Sequence, residues 1–211
     1  MRIDTYKLIF WDFDGVIKES IDVKTKAFVH LFDGYSLKIR DKVRNHHLAN
    51  GGMSRFEKIP LYIRWVEQAG NEEMINDYCI RFSKLVFDGV INSDWVPGSE
   101  NYLKSNSHNQ NFVIVSATPQ KELELILEKL NLTDCFDNVF GSPKSKKDAI
   151  SEILKSANVS PHKTLMIGDS QADMDAAHDN NVPFLLRVHL DNSSIFSTYK
   201  GKKIKDFCEY E

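Results

Sequence analysis

The sequence is poor in cysteine, with only three among its 211 residues. Cys79, Cys135 and Cys208 are far apart and odd in number, which fits neither a disulfide framework nor the paired spacing of a zinc site. Such usage is typical of proteins in a reducing compartment. We therefore expect a cytoplasmic protein without structural disulfides.

Long hydrophobic runs are also missing. The apolar stretch near the N-terminus is short and is interrupted by two aspartates, so we expect neither a signal peptide nor a membrane span. The 27 basic and 30 acidic residues give a formal net charge of −3, which provides no electrostatic reason to expect nucleic acid or an anionic membrane as a partner. With 42% hydrophobic and 27% charged residues, the chain has the composition of a globular protein, either one large domain or a core domain with a small insertion.

What the sequence does contain is an apolar run, 8–11, that stops abruptly at residues 12–16, Asp-Phe-Asp-Gly-Val. The run predicts a buried strand, and alternation along an extended chain sends Asp12 and Asp14 to the same side. Two carboxylates this close repel each other unless a cation lies between them or one takes up a proton. The segment is therefore either an aspartate-rich turn after an ordinary strand or a metal-assisted site in which one aspartate is the nucleophile.

The next part of the chain, 20–92, shows helical periodicity and no clear strand. The apolar spacing predicts four helices, over 20–32, over 37–45, after Ser54 and after Asn71. Pro60 falls within the first two turns of the third, so that helix either begins later or kinks there.

Strands and helices alternate after Pro97. Apolar runs predict strands over 111–115, 136–140, 164–168 and 183–188, with amphipathic helices between them. In the lysine-rich tail we expect a solvated surface and one last short element over 204–210. This alternation predicts an α/β fold with a Rossmann-like doubly wound parallel sheet. The helical block would be an inserted α-helical cap domain, 19–93, in a core domain formed by 1–18 and 94–211.

Polar residues follow several of the predicted strands: Asp12 and Asp14, Ser116, the lysines within 144–147, and Asp169. In open parallel sheets, ligands bind beyond the carboxyl ends of the strands. The sequence therefore predicts one functional site at that edge of the sheet.

In this order, these residues resemble four motifs of the haloacid dehalogenase-like hydrolases. The motifs are Asp-Phe-Asp-Gly-Val at 12–16, an apolar strand that ends in Ser116, a lysine near the start of a helix, and Gly-Asp-Ser-Gln-Ala-Asp at 168–173. The resemblance covers about residues 7–188, and the helical insertion is similar to the cap of the phosphoglycolate-phosphatase and β-phosphoglucomutase branch.

The resemblance implies a role for each acidic residue. Asp12 would attack phosphorus to form an aspartyl-phosphate, and Asp14 would protonate the leaving alcohol and then activate water. Mg²⁺, which prefers hard oxygen ligands, would be held by Asp12, the backbone carbonyl of Asp14 and Asp169. Asp173 would orient metal-bound water or the lysine from outside the metal's own ligands.

The resemblance also implies residues that bind the phosphoryl group. Ser116 would hydrogen-bond a phosphoryl oxygen, with Ala117 beside it, and a lysine would offset the charge on the phosphoryl group and the nucleophile. The commoner family spacing favours Lys144, and the variant Gly-Ser-Pro-x-x-Lys favours Lys146, so both stay open. We expect Lys147 to be solvated.

In the cap, residues 52–55, Gly-Met-Ser-Arg, resemble the Gly-Val-Ser-Arg segment of β-phosphoglucomutases. This implies that Arg55 grips a substrate phosphate distant from the reacting one; an exposed arginine is the alternative. Lys24 stands where that branch typically carries a histidine, and we expect it on the surface. His46 and His47 have no partner at metal-ligand spacing, so we expect them in a loop over 46–53 near the cap hinge.

Together, these features favour a Mg²⁺-dependent phosphatase that acts on a small phosphorylated metabolite, such as a sugar phosphate or a phosphoglycolate-like ester. Asp14 favours phosphomonoester chemistry because dehalogenases of the family need no acid at that position. A sugar phosphomutase and a non-catalytic binding protein on the same fold are the alternatives. The sequence leaves open whether the protein is a monomer or a homodimer.

Overall fold

The computed structural model describes residues 2–66 and 70–210. Within them, six parallel strands form one sheet in the order β3-β2-β1-β4-β5-β6. The strands are β1 (Leu8–Trp11), β2 (Asn111–Pro119), β3 (Asn138–Ser142), β4 (Thr164–Gly168), β5 (Phe184–Arg187) and β6 (Lys202–Ile204). The order reverses direction between β1 and β4, so the predicted α/β fold with a doubly wound parallel sheet is confirmed.

Of the described α-helices, four lie between β1 and Pro97 in the sequence, and we call them the cap helices. They are α1 (Ile21–His30), α2 (Leu37–Ala49), α3 (Arg55–Trp65) and α4 (Glu72–Asn92). The other helices are α5 (Ser99–Ser105), α6 (Gln120–Lys129), α7 (Lys146–Ala157) and α8 (Gln171–Asp179). None of the described helices is long and apolar enough to cross a membrane.

The cap helices pack on one another and on the sheet layer. Helix α1 contacts α2 and α4, α3 contacts α4, and α4 contacts α6 beside the sheet. Buried aromatic rings fill the space between the cap helices, where Phe28 contacts Tyr62 and Phe82. The domain boundaries at 19–93 and 94–211 stay a prediction.

The apolar run of β1 is explained by burial on both faces of the sheet. Ile9 and Trp11 belong to the apolar layer that continues into the cap helices, whereas Leu8 and Phe10 face the layer formed with α7 and α8. Because successive strand residues point to opposite faces, a strand covered on both sides must be apolar throughout. This double covering places the end of β1 in the interior of the molecule.

Several element bounds differ from the sequence-based ones. Strand β2 continues to Pro119 rather than ending at 115, and α2 continues to Ala49, so the prediction that His46 and His47 lie in a loop is wrong. Helix α3 begins at Arg55 and runs past Pro60, which excludes the later start.

Strand β6 was not predicted at all, although the tail was expected to carry a short element. It pairs in parallel with β5, with Leu185 opposite Lys202 and Arg187 opposite Ile204. Two of its three residues are exposed lysines. Charged residues are common on edge strands, where they discourage pairing with other chains, and in a sequence they resemble a solvated loop.

The chain turns sharply after β1 at Gly15, whose φ is +74°. A Cβ atom at Gly15 would lie 2.4 Å from an Asp169 carboxylate oxygen and 2.6 Å from the Ile21 Cδ1 atom. Glycine is therefore required here both by the left-handed backbone and by the close approach of the segment after β4.

We predict that Gly15→Ala lowers the free energy of unfolding by about 1–3 kcal/mol, because it combines a left-handed φ with steric overlap. Gly34→Ala is the matched control, since a Cβ atom there would meet nothing within 4 Å. That variant should stay within about 0.5 kcal/mol of wild type in urea unfolding. Equal stability of the two variants would contradict this account of the turn.

Candidate active site

Three buried carboxylates meet at the carboxyl ends of β1 and β4. Ligand atoms of Asp12, Asp169 and Asp173 all lie within 4.8 Å of one another. Asp12 directly follows β1, and its backbone N–H donates to the Ile167 carbonyl of β4 at 3.0 Å. The three carboxylates thus lie where the strand order reverses, which is where parallel sheets bind ligands.

The third carboxylate reaches this point from the first turn of α8. Asp173 Oδ2 accepts the backbone N–H of Ser170 at 3.1 Å and its hydroxyl at 2.6 Å, which caps the helix. A Cβ atom at residue 168 would lie 2.3 Å from the Asp173 Cβ, so Gly168 is what allows α8 to pack this closely against β4.

Of the two lysines that the sequence left open, Lys146 reaches the carboxylates. Its Nζ lies 2.8 Å from Asp12 Oδ1 and 2.5 Å from Asp173 Oδ1, and its side chain is buried. Lys144 pairs instead with Glu152 and lies over the Phe140 ring. The structure therefore brings Lys146, and not Lys144, to the acidic cluster.

Burial and mutual repulsion make the cluster electrostatically unfavourable. Burial raises the pKa of Asp12 well above its usual range, and the neighbouring Asp173 charge raises it further. Burial also raises the pKa of Asp169. Burial alone would lower the pKa of Lys146, but Asp12 and Asp173 outweigh this and raise it. One ammonium group faces three carboxylates, so a divalent cation would complete the charge balance.

Asp14 lies beside this cluster and has different partners. Its Oδ1 accepts the Ser20 hydroxyl at 2.6 Å, and its Oδ2 accepts the Lys24 ammonium and, at 3.3 Å, the Thr118 hydroxyl. Burial opposes ionisation, but Lys24 outweighs it and holds the pKa of Asp14 below its ordinary value. The Lys24 side chain is only 13% exposed, so the prediction that it lies on the surface is wrong.

The end of β2 contributes the predicted phosphoryl-binding residues. Ser116 is buried, and its hydroxyl oxygen accepts the backbone N–H of Thr118 at 3.1 Å, which leaves its proton free to be donated. Ala117 and Thr118 line the pocket that also contains Asp12 and Asp14.

Arg55 is buried, so the alternative of an exposed arginine is wrong. Its guanidinium contacts both carboxylate oxygens of Glu122, at 2.9 and 2.5 Å, and donates to the Ser83 hydroxyl at 2.5 Å. It also lies over the Phe82 ring. Arg55 lines the pocket, but its charge is already paired, and the pair links α3 of the cap helices to α6.

Two residues of the segment after β5 were missed by the sequence analysis. His189 Nε2 lies 2.9 Å from Asp169 Oδ2, and the Asn192 amide donates to the Asp169 backbone carbonyl at 2.8 Å. No motif marks them. Their position just beyond the carboxyl end of a parallel strand is the signal that could have found them.

Lys58 and His47 were missed as well, and both line the pocket from the cap helices. Lys58 Nζ lies 2.9 Å from His47 Nδ1, and the two side chains are buried. Burial, with a further contribution from Lys24, lowers the pKa of Lys58 to about 7. Burial lowers the pKa of His47 well below its usual value, so this histidine is neutral.

We predict that Lys58→Met stabilises the protein most at or below pH 7. The unfolded lysine keeps its proton up to a pKa of 10.5, whereas the folded one loses it near 7, so the wild type gains stability as pH rises between these values. The advantage of the variant should shrink by a few kcal/mol, to order of magnitude, between pH 7 and pH 10. Urea unfolding of both proteins at several pH values tests this, and a constant difference would contradict it.

Comparison with known proteins begins with the family model for haloacid dehalogenase-like hydrolases, which matches residues 9–186. No curated protein matches the sequence significantly. Among solved structures, a predicted phosphoglycolate phosphatase from Haemophilus somnus has a TM-score of 0.75 at 17% identity, covering 97% of this chain and 96% of that chain.

Two further structures are similar over the same extent. A mutant of CbbY from Rhodobacter sphaeroides in complex with xylulose-(1,5)bisphosphate has a TM-score of 0.75 at 14% identity, covering 97% of this chain and 96% of that one. The hydrolase YfnB from Bacillus subtilis bound to magnesium has a TM-score of 0.71 at 15% identity, with the same coverage. At such identities the likeness shows a shared fold alone. Because the family model spans most of the sequence, the chain belongs to the haloacid dehalogenase-like hydrolase family.

Proposed function

We propose that the protein is a Mg²⁺-dependent phosphatase that hydrolyses a small phosphorylated metabolite through an aspartyl-phosphate at Asp12. The observation that carries this proposal is the position of Asp12. It is a buried carboxylate, 2.8 Å from the Lys146 ammonium and beside Asp169, in a pocket lined by both the strand ends and the cap helices.

The donor set fits Mg²⁺, because it consists of hard carboxylate oxygens that are buried and not balanced by their one lysine. Asp12, Asp169 and the backbone carbonyl of Asp14 would hold the ion. Bound there, it would neutralise charge on the phosphoryl oxygens and on the carboxylates. Asp173 already accepts hydrogen bonds from Lys146 and Ser170, so its part is to position Lys146.

In the first step an Asp12 oxygen forms a bond to phosphorus as the bond from phosphorus to the ester oxygen breaks. Lys146 stabilises the charge on the phosphoryl oxygens, and the Ser116 hydroxyl would donate to one of them. The leaving alkoxide takes a proton from Asp14. In the second step Asp14 accepts a proton from water, which attacks the aspartyl-phosphate, releases phosphate and restores Asp12.

Lys24 sets the protonation state of Asp14 for these two steps. Without substrate, Lys24 and Ser20 hold Asp14 ionised. The negative charge of an entering phosphate ester raises the proton affinity of a neighbouring carboxylate and attracts the Lys24 ammonium to itself. Asp14 can then take up a proton from solvent, give it to the leaving alkoxide and afterwards act as a base.

We predict phosphate release from an aryl phosphate with Mg²⁺ and none after the metal is chelated. Asp12→Asn should abolish turnover because it removes the nucleophile, and Lys146→Met should lower kcat by about 10²–10³-fold because it removes a cation beside the reacting phosphoryl group. Lys144→Met is the matched control and should stay within about twofold, since Lys144 pairs with Glu152. Undiminished activity of Asp12→Asn would overturn the proposal.

We also predict that Asp14→Asn accumulates phosphorylated protein when it is supplied with an aryl phosphate. A phenolate leaves without help from an acid, so the first step proceeds, but the base for the second step is missing. Intact-protein mass spectrometry should show the mass of one added phosphoryl group, which is absent in an Asp12→Asn, Asp14→Asn double variant. Turnover of Asp14→Asn at the wild-type rate would contradict the role given to Asp14.

A further inference from the structure

The cap side of the pocket is lined by basic residues from three helices: Lys24 of α1, His47 of α2, and Arg55 and Lys58 of α3. Two of these charges are already compensated within the protein. Arg55 is paired with Glu122, and Lys24 is paired with Asp14.

Lys58 differs from both, although it lies only one turn after Arg55 on the same helix. Its side chain is among the largest that are fully buried, with 1% of the residue exposed. Among the described residues it forms no ion pair, and the hydrogen bond found for its ammonium is to His47 Nδ1. It also lies near the Phe28 ring, at 5.5 Å from the ring centroid. Burying an ammonium group without an anionic partner is unfavourable unless a ligand supplies that partner.

We propose that Lys58 is a specificity-determining residue that binds an anionic group, a carboxylate or a second phosphate, on the alcohol portion of the substrate. This inference rests on the proposed phosphatase function, because it assigns the far end of the same pocket. The sequence motif implies that Arg55 binds such an anionic group. In the structure, however, the Arg55 guanidinium is hydrogen-bonded to Glu122 and Ser83. Of the two cations of α3 that line the pocket, Lys58 is the one whose charge is left for a ligand.

His47 acts as the positioning residue for Lys58. It is buried against Phe28, with 4.8 Å between the ring centroids, so it is held in place by packing. Because His47 is neutral, its Nδ1 can accept a hydrogen bond from the Lys58 ammonium and fix the direction of the side chain. The other protons of the ammonium can then be donated to an anion.

The charged groups that act on Lys58 support this assignment. Lys24 of α1 opposes its protonation, whereas Asp14 after β1, Glu57 of α3 and Asp169 after β4 favour it more weakly. In the ligand-free protein these influences, with burial, leave Lys58 only partly charged at neutral pH. An anion in direct contact would restore the charge, so binding should take up a proton above pH 7.

The test compares three phosphate esters of similar size on the full-length protein with Mg²⁺. Glycerol phosphate has a neutral alcohol portion, phosphoglycerate carries a carboxylate, and glycerol bisphosphate carries a second phosphate. We expect kcat/KM to be at least about tenfold higher for one of the two anionic esters than for glycerol phosphate. The ester that is preferred identifies the anion.

Lys58→Met should lower that preference ratio by about tenfold or more, mainly through KM, and Lys58→Arg should restore part of it. Lys84→Met is the matched control, since Lys84 is an exposed lysine of the same group of cap helices, and its ratio should equal the wild-type ratio. An unchanged ratio in Lys58→Met would overturn the inference while leaving the phosphatase proposal intact. Absence of hydrolysis of all esters, including an aryl phosphate, would overturn the phosphatase proposal instead.

A binding measurement tests the contact between Lys58 and the anion independently of the hydrolysis rates. Calorimetric titration with phosphoglycerate and glycerol bisphosphate at pH 8, in buffers of different ionisation enthalpy, should show more proton uptake with wild type than with Lys58→Met, in which only Asp14 takes up a proton. Binding of equal affinity and equal proton uptake in the two proteins would contradict a direct contact with Lys58.

Discussion

Repulsion among Asp12, Asp169 and Asp173 is the constraint on which the rest of the structure depends. These carboxylates are buried and lie within 4.8 Å of one another, with the Lys146 ammonium between two of them. Such an arrangement is costly for folding and is retained where it has a chemical use. The raised pKa of Asp12, caused first by burial, is a measure of that cost.

The fold brings these charges together at two glycines, where the backbone lies very close to an aspartate side chain. Gly15 lets the chain turn against Asp169, and Gly168 lets Asp173 pack against the end of β4. The pair of Arg55 with Glu122 then links the cap helices to α6 and helps to cover the pocket. Covering matters because electrostatic interactions with a phosphoryl group strengthen when water is excluded.

The sequence alone predicted the parts of this arrangement that depend on local pattern. Asp12 and Asp169 could be placed because each ends an apolar strand, and parallel strands bring their carboxyl ends to one edge. The choice between Lys144 and Lys146 could not be made in this way, because both precede or begin the same helix and only packing decides which one points at Asp12.

The other site residues that the sequence did not identify escaped prediction for the same physical reason. Lys24 and Lys58 reach the site from cap helices that the chain order does not place there, and the low exposure of their side chains follows from helix packing that one sequence does not encode locally. Arg55 matched a motif, yet its charge is satisfied by Glu122, a residue 67 positions away in sequence. Sequence patterns therefore located the acidic end of the pocket, whereas the cap end required the structure.

The most direct test of the central claim is whether a divalent cation relieves the carboxylate repulsion. The account predicts that Mg²⁺ raises the Tm of the wild-type protein, because a ligand that binds only the folded state stabilises it. The increase should be lost in Asp169→Asn and kept in the control Asp175→Asn, whose side chain is exposed on α8. A Tm that Mg²⁺ leaves unchanged in wild type, or raises equally in Asp169→Asn, would contradict the account.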